Sequence, residues 1–146
     1  MLVEKAMSSP VIRATTATTI RMAAKLMRAH NLGYLPVFED DRVVGIVTDR
    51  DIVVRALAGQ GVAFGPETLV TAIMSEEVVT FPVDKNVEDA AGVMGELQVR
   101  RLLILNRSGA TVGILSVGDI AEHVSEELAG QVLGEISEAR ARDTHR

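Results

Sequence analysis

Two short runs set a glycine, a hydroxyl and a carboxylate at the same spacing: Gly45-Ile46-Val47-Thr48-Asp49-Arg50-Asp51 and Gly113-Ile114-Leu115-Ser116-Val117-Gly118-Asp119. Thr48 and Ser116 each stand where an apolar run gives way to a helical pattern. Their hydroxyls, with the amides that follow, could receive a phosphate or sugar oxygen. One turn on, Asp51 and Asp119 are acceptor-only carboxylates able to take both hydroxyls of a ribose. Gly45 and Gly113 leave room for another group to approach the strand backbone. The same Ser/Thr-x-x-Asp pattern is also a variant of the helix capping box, which needs no ligand.

Other chemistry is sparse. There is no cysteine, which excludes disulfides, thiolate nucleophiles and Cys-type zinc sites. His30, His123 and His145 are far apart and lack metal-ligand spacing. There is no Gly-x-Ser-x-Gly elbow and no phosphate-cradling Gly-x-x-x-x-Gly-Lys run. No catalytic residue and no metal site is therefore assigned, and the chain is not expected to be an enzyme. A net charge of −5 argues against a general nucleic-acid binder, and aromatics at 3% leave little to stack bases on. A leader pattern and a membrane-length apolar run are both missing, so a cytoplasmic protein is expected.

The elements that must position the two runs repeat. A shift of 67 residues overlays Met7-Ser8 on Met74-Ser75, Ala23-Ala24 on Ala90-Ala91, Met27 on Met94 and Leu35 on Leu102. After one extra residue in the second turn the shift becomes 68, and the two Gly-x-x-Thr/Ser-x-x-Asp runs coincide. Each copy reads as an extended segment (Val11 to Ala14; Val78 to Phe81) and an amphipathic helix (Thr19 to His30; Val87 to Leu97). Two apolar runs separated by turn residues follow, Leu35–Phe38 with Val43–Val47 and Leu102–Leu105 with Thr111–Leu115. A second helix closes each copy, Asp49 to Ala58 and Val117 to about Leu128. The expected class is α/β (α+β), two β-α-β-β-α repeats. Residues 1–58 form the first and 74–128 the second. A linker with a short helix over Glu67 to Met74 occupies 59–73, opening with the Gly-rich stretch from Gly59 to Pro66. Residues 129–146 form a helical extension expected to continue the last helix. The methionines read as core filler. Glu122, Glu126, Glu127, Glu135 and Glu138 read as a solvated face.

The run Leu35-Pro36-Val37, the hairpin, and Val44-Gly45-Ile46-Val47-Thr48-Asp49-Arg50-Asp51-Ile52, together with the duplication, resemble bacterial stand-alone proteins of cystathionine-β-synthase-type (CBS) domains. The likeness runs from about Val3 to His123. It implies two repeats packed through their sheets about a pseudo-twofold axis, with clefts that hold AMP, ADP, ATP, S-adenosylmethionine or another adenosyl compound. By the same resemblance, Asp51 and Asp119 meet the ribose beside Thr48 and Ser116. Ile12, Val79 and Thr80 lie on the adenine side, and Arg100 and Arg101 match positions used for phosphates. The first repeat has Gly33 and Tyr34 at the place of Arg100-Arg101, and Pro36 where the second has Leu103, while Arg50 is a further phosphate candidate opposite Gly118. Two unlike pockets are therefore expected. No cofactor is required. A homodimer and an unidentified regulated protein are the expected partners. The alternatives are a ligand-free interaction module or a nucleic-acid binder using Arg13, Arg21, Lys25 and Arg28.

Overall fold

The computed structural model describes residues 1–59 and 64–144, with side chains of the last helix described to Ser137. The chain divides into two compact units: Ile12–Val78, and Met1–Val11 together with Val79–Arg146. Each holds a three-stranded sheet, and the architecture is the mixed α/β one expected, β-α-β-β-α twice over. The units do not coincide with the sequence repeats of 1–58 and 74–128. The first eleven residues complete the second unit, and the residues after the linker complete the first.

In the Ile12–Val78 unit the order is β1 (Ala14–Thr15), α2 (Ile20–His30), β2 (Tyr34–Glu39) and β3 (Arg42–Thr48), α1 (Val3–Ala6) lying in the other unit. β1 runs parallel to β2, and β2 antiparallel to β3 with a register shift at Val37/Phe38. Thr19 caps α2 by accepting the Met22 amide at 3.1 Å, and Asn31 ends it in the left-handed region. The stripe Ile20, Ala23 and Met27 is buried against Leu35, Val37 and Val47 of the sheet. After β3 the expected helix from Asp49 to Ala58 is only briefly α-helical, α3 (Asp49–Asp51), and then widens into a π-helix over Ile52–Leu57. The short helix expected over Glu67 to Met74 is a single 3-10 turn, Val70–Ala72, whose Val70 lies in the same core. The linker residues 60–63 are outside the described residues.

The other unit repeats the plan with β4 (Thr80–Pro82), α4 (Val87–Leu97), β5 (Arg101–Leu105), β6 (Thr111–Ser116) and α5 (Val117–His123). It adds α1 (Val3–Ala6), which the sequence reading did not assign and whose Val3 and Ala6 are buried in this core. The expected continuous helix from Val117 onward breaks. α5 ends at His123, and α6 (Glu126–Thr144) starts anew with the Ser125 hydroxyl accepting the Leu128 amide at 3.2 Å. Ala129, Val132 and Ile136 bury α6 against α4 and α5 of its own unit.

One substitution between the copies explains a difference in strand length. Leu103 donates its amide to the Val79 carbonyl at 2.9 Å, and β4 spans three residues. Pro36 stands at the equivalent place with no N–H to offer, and β1 is two residues long.

Candidate functional site

Both motifs sit at the turn from the third strand of their unit into a helix, and in both the capping box is complete. Thr48 N–H donates to Asp51 Oδ2 at 2.8 Å while Asp51 N–H donates to Thr48 Oγ1 at 3.1 Å. Ser116 N–H donates to Asp119 Oδ2 at 2.9 Å and Asp119 N–H to Ser116 Oγ at 3.0 Å. One oxygen of each carboxylate is thus committed to the backbone. The remaining oxygen decides what else the motif can do.

Here the halves differ. Asp119 Oδ1 accepts the Ser8 hydroxyl at 2.9 Å, and the residue is only 8% exposed. Asp51 Oδ1 faces Arg55 Nε at 3.6 Å, with side-chain exposures of 14% and 53%. Arg55 also donates to the carbonyls of Ile73 and Met74 at 3.2 and 3.3 Å. Both outer oxygens are held by a partner on an exposed residue, Ser8 or Arg55. Neither Ser8 nor Arg55 was among the residues singled out in the sequence. The signals were present: Ser8 repeats as Ser75, and Arg55 lies four residues after Asp51, helical pairing distance.

The glycines serve the chain itself. A short bridge pairs Ser75 with Ile46, and a Cβ at Gly45 would come within 2.6 Å of Met74 Sδ and 2.8 Å of the Ser75 carbonyl. Ser8 pairs likewise with Ile114, and a Cβ at Gly113 would run into Met7. The group that approaches the strand is therefore the Met-Ser segment preceding each extended run.

The amides after Thr48 are also largely used. Asp49 N–H donates to the Gly33 carbonyl at 2.9 Å, and Arg50 N–H to the Asp49 carboxylate at 2.8 Å. In the other half Val117 N–H donates to the Arg100 carbonyl at 3.0 Å, and Val117, at the place of Asp49, brings no carboxylate.

Of the remaining candidates, Tyr34 lies opposite Thr48 in the strand register and Arg101 opposite Ser116. Both are half-buried, while Arg100 and Arg50 are exposed. Pro36 is buried and pairs with Ile46. Ile12 and Val79 are half-buried at the edges of their own units' cores, and Thr80 is exposed at the start of β4. Arg13 stacks over the Phe38 ring at 4.1 Å. Among the described residues no group of three His, Asp or Glu is gathered as for a metal ion, and no helix is long and apolar enough to cross a membrane. His145 is outside the described residues.

Two sheets of this topology, each ending in the same capped Ser/Thr-x-x-Asp turn, define a pair of CBS domains. The CBS domain profile matches residues 3–57 and 70–126, and the chain belongs to that family. It is 39% identical over 136 residues to the CBS domain-containing protein YhcV of Bacillus subtilis, covering 92% of this chain and 94% of that one. Among solved structures it is similar to the CBS domain pair of protein MJ0100 in complex with 5′-methylthioadenosine and S-adenosyl-L-methionine. That match has 29% identity and a TM-score of 0.71 and covers 84% of this chain and 94% of the other. It is also similar to Hypoxic Response Protein I with two coordinated zinc ions, with 32% identity and a TM-score of 0.70 over 85% and 99% of the two chains.

Proposed function

We propose that this protein is a non-catalytic regulatory module that holds adenosyl compounds at the two Asp-bearing turns and passes the bound state to another protein or to its own assembly. The observation that carries this reading is the duplicated carboxylate. In both halves one oxygen is fixed by the cap while the outer one meets an exposed residue, and that outer oxygen, with two lone pairs, is the acceptor left for ribose hydroxyls. The adenosyl ligands of the similar MJ0100 domain pair support the ligand class.

The two turns should differ in ligand. Arg100 and Arg101 flank the Asp119 turn, which suits a phosphorylated nucleotide such as AMP, ADP or ATP. The Asp51 turn has Tyr34 in that register position and the Asp49 carboxylate closing on the next amide, which suits an adenosyl compound without phosphates. Binding at either turn would shift the balance of conformations that a partner reads. A homodimer in the cytoplasm is the expected setting.

A second reading, a ligand-free structural or interaction module, is favoured by one fact: both capping boxes are complete as they stand. Thermal melting with AMP, ATP, 5′-methylthioadenosine and S-adenosylmethionine separates the two. A ligand at a hundredfold excess over its Kd adds about 2.7 kcal/mol. If none of the four raises the melting temperature, the second reading stands and the first is wrong.

A further inference from the structure

In both repeats a Met-Ser segment bridges to the strand that leads into the motif, but the two serine hydroxyls are used differently. The Ser75 hydroxyl accepts the Glu77 amide at 3.4 Å. The outer oxygen of Asp51 is left to Arg55 Nε at 3.6 Å, an ion pair longer than a hydrogen bond. In the second repeat Ser8 donates its hydroxyl to Asp119 Oδ1 at 2.9 Å and so closes over a residue that is only 8% exposed.

A carboxylate oxygen accepts through two lone pairs. With one taken by Ser8, Asp119 Oδ1 has room for one further hydroxyl, so the two hydroxyls of a ribose reach it together only when Ser8 leaves. Asp51 Oδ1, which faces only the longer ion pair, can take both with nothing displaced.

Without that side-chain bond the Ser8 segment keeps a slight hold on its strand. Ser8 N–H donates to the Ile114 carbonyl at 2.8 Å and Ile114 N–H to the Ser8 carbonyl at 3.0 Å, and this bridge stands outside any named strand. So short a pairing opens locally at small cost. The chain passes into the Ile12–Val78 unit directly after Val11, which puts Ser8 among the last residues fastened to their own unit before that joint.

We propose that the Ser8 hydroxyl is a latch displaced by ligand: a ribose at the Asp119 turn takes over Oδ1, residues 7–11 loosen, and this joint is where occupancy of the turn is passed on. The inference rests on the ribose reading of Asp119 given above.

The test combines amide hydrogen exchange and calorimetric titration of ATP on the full chain. Saturating ATP should speed exchange of the Ser8 amide about fivefold, the weight of one hydrogen bond. Ser8→Ala should show that faster exchange without ligand, with ATP adding little to it, and should bind ATP about fivefold more tightly because nothing has to be displaced. Ser8→Thr, which keeps the hydroxyl, should behave as the parent. A serine that only braces the fold would lower the melting temperature when removed and leave ATP affinity unchanged or weaker. That result overturns the latch, as does ATP binding to the parent that leaves the Ser8 amide equally or better protected, and both leave the ribose reading standing. A parent protein that binds no adenosyl compound overturns the ribose reading and the latch with it.

Discussion

Alanine at Asp119 removes two interactions together, the bond from Ser116 N–H at 2.9 Å and the bond from the Ser8 hydroxyl at 2.9 Å. Loss of a helix cap costs about 1 kcal/mol. A hydrogen bond to a charged acceptor contributes about 1.5–3 kcal/mol, but Ser8 is exposed and water takes over part of that role, leaving about 1 kcal/mol. The total for Asp119→Ala is about 2 kcal/mol. Asp51→Ala removes the bond from Thr48 N–H at 2.8 Å, again about 1 kcal/mol. Its contact with half-exposed Arg55 at 3.6 Å adds only a few tenths. For a domain of this size 1 kcal/mol corresponds to about 2–4 °C in melting temperature, so Asp119→Ala should melt about 4–8 °C below the parent and Asp51→Ala about 2–5 °C below. Ser8→Ala alone should lower the melting temperature by about half as much as Asp119→Ala, and adding it to Asp119→Ala should cost nothing further. Differential scanning calorimetry without ligand reads all four variants. Equal melting temperatures for the two Asp variants, or additive Ser8 and Asp119 effects, would refute the unequal anchoring of the two carboxylates.

Gly45→Ala should destabilise by about 1–3 kcal/mol and more than Gly113→Ala, because its Cβ meets the Ser75 backbone carbonyl at 2.8 Å while the nearest atoms at Gly113 all belong to the flexible Met7 side chain; urea unfolding compares them. Ile136→Ala, at a side chain 3% exposed in the seat of α6, should cost about 2–4 kcal/mol, whereas a freely projecting C-terminal helix would tolerate it; chemical denaturation of the single variant decides. Replacing both Arg100 and Arg101 by glutamine should weaken ATP binding by tenfold or more while leaving 5′-methylthioadenosine binding within about twofold; titration calorimetry reads both.

The repeat made most of the fold legible because its two copies share burial as well as residue type. The stripe Ile20, Ala23 and Met27 and its partner Val87, Ala90 and Met94 are all core positions, and period 3.6 identifies them without tertiary knowledge. Strand limits followed from apolar runs that end at hydroxyl or turn residues, such as Val47-Thr48 and Leu115-Ser116. What the sequence left hidden depends on distant chain. Val3 and Ala6 are too few to show a period, and their burial against the second repeat depends on 80 or more residues of intervening sequence. The widening of the helix after Asp51 into π geometry has no local residue signal, since Ile52-Val53-Val54 reads equally as α-helix. At the motifs, residue types and spacing were legible, but the second oxygen of each carboxylate was not, because Ser8 is separated from Asp119 by 111 positions.

The most direct test of ligand holding by the duplicated carboxylates is isothermal titration of ATP and of S-adenosylmethionine into the parent, Asp51→Ala and Asp119→Ala proteins. Asp119→Ala should lose ATP binding by tenfold or more and Asp51→Ala should lose S-adenosylmethionine binding to a similar degree, each leaving the other ligand within about twofold. Parent protein that binds both ligands with affinities unchanged in either variant would contradict the ribose role, leaving Asp51 and Asp119 as helix caps alone.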